Sequence, residues 1–210
     1  MLDESEMNPE RWARLMTLWD FGDNTETYRS LVTSYSGKGR YYHSREHVSA
    51  CLRHLDRCVS EIQSPREVEL ALWFHDAIYE PLSGKNEKKS ADWAQSFVLE
   101  NGASRDIAHR VHRLIMVTEH NAPAKTSDES LLVDIDLAVL GAEPAIYQIF
   151  EEGVRSEYKM VPWPLYKKKR VEVLKGFLDR PRIFQNEPFL TEREQQARKN
   201  LAAAISKLDG

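Results

Sequence analysis

Apolar residues return at helical spacing along almost the whole chain, and this periodicity constrains the fold more than any other feature. Trp12, Leu15, Met16 and Trp19 fall at i, i+3, i+4 and i+7, and Tyr28, Leu31, Val32 and Tyr35 repeat the pattern. Ser36-Gly37-Lys38-Gly39 then stops it. Asn8-Pro9 reads as an N-cap followed by proline at the first helical position. Ser64-Pro65-Arg66-Glu67 and the pair Thr191 with Glu194 read as capping boxes, and Ser104 as a further N-cap. These signals predict one helix from Ser44 to Ile62, with Val48, Cys51, Leu52, Leu55, Val59 and Ile62 facing inward. They predict others from Ser64 to Tyr79, Asn86 to Gly102, Pro144 to Met160 and Pro164 to Leu178, and a last one ending near Leu208. Val133-Asp134-Ile135-Asp136-Leu137 alternates like a strand. No other strand exists for it to pair with, and Gly141 sits where a helix C-cap belongs, so it reads as helix. The expectation is one all-α domain over residues 1–210, of about nine or ten helices. Its chemical motifs lie between residues 40 and 141, and helices over 144–208 pack on that core.

Composition removes several classes of function. Hydrophobic residues at 41% and charged residues at 30% give a globular balance, not a disordered one. No apolar run reaches the roughly 20 residues that cross a bilayer. The opening MLDESEMNPE is acidic and polar, unlike a secretory leader. A net charge of −4 leaves no broad basic field for nucleic acid, and Lys167-Lys168-Lys169-Arg170 reads as a solvated helix face. Cys51 and Cys58, seven apart on one helix, stand about 10 Å apart and cannot bridge. The expected setting is cytoplasmic. The expected partner is a small molecule, with a homodimer as the one protein assembly allowed for and neither nucleic acid nor membrane.

The chemistry concentrates in histidines and carboxylates. Tyr41-Tyr42-His43-Ser44-Arg45-Glu46-His47 sets two histidines at i and i+4, which share a helix face. His-x-x-Glu-His is also the spacing of an inverted zinc protease, with Glu46 as its base. Trp73-Phe74-His75-Asp76-Ala77-Ile78-Tyr79 places a His-Asp doublet in an apolar helix, where a carboxylate needs a partner or a cation. Asp134 and Asp136 lie in a second apolar run. Two imidazoles with two carboxylates suit Mn, Fe, Co, Ni, Zn or Mg, and a set without thiolates differs from a structural zinc site. His54 and His109 read as exposed helix residues.

A His, then a His-Asp doublet, then a distant Asp, all on helices, resembles the HD-domain metal-dependent phosphohydrolases. The likeness is to a bacterial branch of about 200 residues and runs over residues 10–185. It includes Arg40 to His47, Trp73 to Tyr79, Asn86-Glu87 with Ser90-Ala91, and Asp134 to Gly141, then Arg155 with Glu157-Tyr158 and Arg170 through Leu178. The resemblance implies a divalent metal on His47, His75, Asp76 and Asp136, with Asp134 as an alternative or an orienting neighbour. It implies His43 as the acid that protonates the leaving oxygen, and Glu87 or Asp136 as the base. Asn86, His120 and Arg155 become substrate contacts, and Arg40, Lys85 and Lys88 further candidates for neutralising a phosphate. The implied activity is hydrolysis of a small phosphorylated metabolite, a nucleotide by preference. The alternatives are a non-catalytic metal or nucleotide sensor of the same fold, a di-iron oxygenase, and the inverted zinc protease.

Overall fold

The computed structural model describes residues 6–209, and its contacts gather into two compact units, one ending at Val133 and one beginning at Asp134. Among the described residues there are helices and turns but no strands. No helix is long and apolar enough to cross a membrane. The first unit contains α1 (Pro9–Trp19), α2 (Thr25–Tyr35), α3 (Arg45–Cys58), α4 (Pro65–Phe74), α5 (Asn86–Glu100) and α6 (Arg105–Met116). The division between the units falls within α7 (Ser127–Asp136). The second unit continues with α8 (Pro144–Glu157), α9 (Trp163–Leu178) and α10 (Phe189–Asp209).

In the first unit α4 is the central element and packs against α1, α3, α5 and α6. Its Val68, Leu70, Ala71, Leu72, Trp73 and Phe74 are fully buried, as expected for a helix apolar on all sides. Trp12, Phe74 and Phe97 meet with ring centroids 5.5–6.5 Å apart, so α1 and α5 close on α4 through aromatic contacts. Two of the expected caps form: Asn8 accepts from the Arg11 amide at 2.8 Å, and Ser104 from the Ile107 amide at 3.3 Å. The box at Ser64 does not form. Glu67 is bound by two Arg110 nitrogens at 2.9 and 2.7 Å, and the Ser64 amide donates to Asp128 instead. α3 ends at Cys58, and one 3-10 turn over Val59–Glu61 follows, which leaves Val59 exposed instead of inward.

The helix expected to run to Tyr79 stops at Phe74. In a continued helix the Asp76 amide would donate to the Leu72 carbonyl. That carbonyl lies 2.9 Å from His75 Nδ1, and the Asp76 amide turns to the Tyr35 hydroxyl at 3.2 Å. The same hydroxyl donates to the Trp73 carbonyl at 3.0 Å. Arg40 then takes the carbonyls of Asp76 and Ala77, and the Ile78 amide donates to Ser90. The His-Asp doublet therefore sits in the turn after a buried helix, not inside one.

In the second unit α10 packs on α9 and on the 3-10 turn Leu137–Gly141, which also receives α8. Val133 to Asp136 are helical, as read. Gly141 is not a left-handed cap; a Cβ there would lie 2.5 Å from Arg193 Cβ and 2.7 Å from its carbonyl oxygen, so the glycine is required by close approach of α10. The box at Thr191 is also absent, because α10 starts at Phe189 and Glu194 receives the Ile183 and Phe184 amides.

Candidate metal centre

Three elements of the first unit bring donors together. α3 carries His47 on its buried side, the turn after α4 carries His75 and Asp76, and the turn before α3 carries His43. His47 Nε2 and His75 Nε2 stand 3.0 Å apart. Asp76 Oδ2 is 3.1 Å from His75 Nε2 and 3.5 Å from His47 Nε2. Both histidines are almost wholly buried, and the Asp76 side chain retains 14% exposure, so the group opens outward on its carboxylate side.

The chemistry of this donor set fits a cation. A carbonyl oxygen only accepts, so the contact with Leu72 puts a His75 proton on Nδ1, and in the neutral imidazole Nε2 is then a lone pair. That lone pair faces a carboxylate at 3.1 Å, a repulsive arrangement until a proton or a metal ion enters it. Two donors about 2.1 Å from one ion are about 3.0 Å apart at a right angle and about 3.4 Å at a tetrahedral angle. The observed separations of 3.0, 3.1 and 3.5 Å span those values. Burial pushes the Asp76 carboxyl up, but His75, His43 and His47 outweigh it and hold it well below the usual carboxylate range.

His43 lies outside α3, because Ser44 is the extended N-cap and the helix starts at Arg45. The two histidines still approach, with ring centroids 6.2 Å apart, and His43 stacks on Tyr79 at 4.3 Å. Arg40 fixes this geometry by donating to the carbonyls of His43, Asp76 and Ala77 at 2.9, 2.6 and 2.8 Å. Its guanidinium also lies over Tyr35 and Tyr79. Arg40 is thus a clamp between the two site turns, not a phosphate contact. Glu87 is half-buried in the first turn of α5. Burial raises its carboxyl, with Asp76 and Glu119 adding to the rise and His120 opposing it. Glu87 and His120 therefore share the electrostatic surroundings of Asp76. Compared with protein-family models, curated proteins and solved structures, the chain matches none.

Other expected site residues have different employment. The Asn86 amide clamps Glu80, accepting from its amide and donating to its carbonyl at 3.0 Å each, so both polar ends serve the loop before α5. Lys88 pairs with Asp92 at an exposed position. In the second unit Arg155 donates to the Tyr158 and Val161 carbonyls and lies over Trp163 and Tyr166. Asp134 is fully buried and accepts from the Gln185 and Asn186 amides and from the Asn186 side chain at 2.7–3.1 Å. Burial still pushes its carboxyl up to about 6 against the pull of those donors. These bonds make it a loop anchor and not an alternative ligand. Asp136, two residues on, ends α7 half-buried.

Glu46 is exposed and bonded to Ser44 on its own turn, which removes the base of the protease reading. His109 is exposed as expected, whereas His54 is half-buried. Cys51 and Cys58 are both free and buried. Sequence reasoning overlooked Cys51 beside the histidines, where Sγ lies 3.8 and 3.9 Å from the two His47 ring nitrogens. Near-equal distances to both nitrogens put the sulfur against the ring, and the i, i+4 spacing to His47 was the available signal.

Proposed function

We propose that the chain is a metal-dependent phosphohydrolase acting on a small phosphorylated metabolite, with a nucleotide as the favoured class. The observation that carries the reading is the convergence of His47 Nε2, His75 Nε2 and Asp76 Oδ2 in one largely buried group of donors. The motif order of the resembled family adds Asp136 as the fourth ligand. A divalent cation held there supplies Lewis acidity toward a phosphoryl group.

The protein's own groups do the rest. Glu87, with its raised carboxyl, accepts a proton from the attacking water. His43, held against Tyr79 and tied through its carbonyl to Arg40, donates a proton to the departing oxygen. His120 is the proposed substrate contact. Asn86 leaves that set because both ends of its amide are engaged with Glu80. Arg155 is assigned to the second unit, where one of its terminal nitrogens holds the Tyr158 and Val161 carbonyls. The reading places the activity in the cytoplasm, where nucleotides are abundant and two buried thiols stay reduced.

The test is a panel of phosphomonoesters and phosphodiesters assayed with Mn, Fe, Co, Ni, Zn and Mg, with metal content measured in parallel. Bound metal with metal-dependent turnover is expected, and His75→Ala should lose both. A protein that binds none of these metals overturns the reading. Metal bound without turnover of any ester moves it to the sensor alternative.

A further inference from the structure

The second unit carries a groove of about 690 Å3 formed by α8, the start of α9 and the last turns of α10. That volume lies within the range of small-molecule sites. Its walls are aromatic. Tyr147 and Tyr166 are buried, and half-exposed Trp163 stacks on Tyr166 with centroids 5.8 Å apart and planes 23° apart. Most polar groups there are already satisfied. The Tyr147 hydroxyl donates to Glu151 at 2.8 Å, and Glu151 also receives two Arg170 nitrogens at 3.1 and 2.6 Å. Asn200 spends its side-chain amide on the Leu140 and Ala142 carbonyls.

Two cations remain. Arg155 lies over Trp163 and Tyr166 at 5.3 and 4.6 Å, and its polar bonds within the protein all leave from one terminal nitrogen. The rest of its fork has no partner among the described residues. Lys207, exposed on α10 at the groove's rim, has no ion pair among the described residues. Of the two acids in the lining, Glu151 is neutralised by Arg170, and exposed Glu152 takes the Gln148 amide. Two cations therefore face one carboxylate without a cation partner, and the balance is positive.

We infer that this groove binds a small aromatic anion, its ring against the Tyr147–Trp163–Tyr166 wall and its acid group met by Arg155 and Lys207. Stacked aromatics favour a planar body, and a guanidinium fork with free N–H groups favours a carboxylate, sulfonate or phosphate. A neutral apolar guest would leave both cations unmatched. None of these residues belongs to the proposed metal-ligand set, so the inference does not depend on phosphohydrolase activity.

The test uses the full chain and two fluorescent probes of similar aromatic body, 1-anilinonaphthalene-8-sulfonate and neutral N-phenyl-1-naphthylamine. The sulfonate should bind at one saturable site, and more tightly than the neutral probe. Lys207→Met should weaken the sulfonate about tenfold, the loss of one charge-assisted contact, and leave the neutral probe unchanged. Ala204→Trp fills the groove and should abolish both, with circular dichroism confirming the fold. Ala203→Trp, at an exposed wall position, is the second filling variant should the first disturb α10. Sulfonate binding that survives a folded filling variant overturns the inference. So does a Lys207→Met effect equal for both probes, or absent for both.

Discussion

His43 and His47 are four residues apart, yet one belongs to a turn and the other to a buried helical face. Their variants should therefore differ. His47→Ala removes a proposed ligand, and metal content and turnover should fall together. His43→Ala should keep its metal and lose about 10²–10⁴ in kcat, the worth of a positioned acid, with a smaller loss for nitrophenyl esters. Metal analysis beside steady-state kinetics checks both, and metal loss in the His43 variant alone would exchange the two roles. Glu87 carries the pH dependence. As a base it must be ionised, so activity falls as pH drops through its pKa. Because burial raises that pKa, the acid limb of kcat/KM should lie above the ordinary glutamate value of about 4.3. Glu87→Gln should lower kcat and remove that limb. An acid limb unchanged in Glu87→Gln assigns the base elsewhere.

Helices were legible wherever one face is apolar, and less so where a tertiary partner decides the end. α4 has no sequence mark at Phe74, because its termination depends on the Tyr35 hydroxyl, the Arg40 guanidinium and the Ser90 hydroxyl, supplied by other parts of the chain. The two capping boxes had the right letters, but Glu67 and Glu194 were drawn to Arg110 and to the Ile183 and Phe184 amides. The same limit applies to the site. His47, His75 and Asp76 were readable as ligand types in sequence order, whereas Asn86 could not be excluded before its backbone partners were known. At Gly141 the sequence suggested a cap and the packing shows a contact. Gly141→Ala forces its Cβ into the backbone of Arg193 and should cost about 1–3 kcal/mol, the usual penalty of overpacking. Urea denaturation measures it, and an unchanged midpoint would mean that α10 moves aside freely.

Over the whole molecule, a cation that binds the folded chain and not the unfolded one raises stability by mass action. At 100 times its Kd the gain is about 2.7 kcal/mol, or roughly 5–11 °C in Tm for a chain of this length. Adding Mn or Co should raise the melting temperature, and chelation should reverse it. His75→Ala should remove the response, because its Nε2 faces both other donors of the first unit. A melting curve indifferent to every divalent metal would count against a resident ion.

Asp134 sets the azimuth of the end of α7. Successive helical residues turn by about 100°, so residues two apart point in directions about 200° from each other. With Asp134 held inward by the Gln185 and Asn186 amides, Asp136 is obliged to face the other way. The two aspartates thus work as rudder and blade, and they cannot be traded. Asp134→Asn would weaken the anchor that sets this heading, and Asp136→Asn would keep the heading and remove only the proposed fourth ligand.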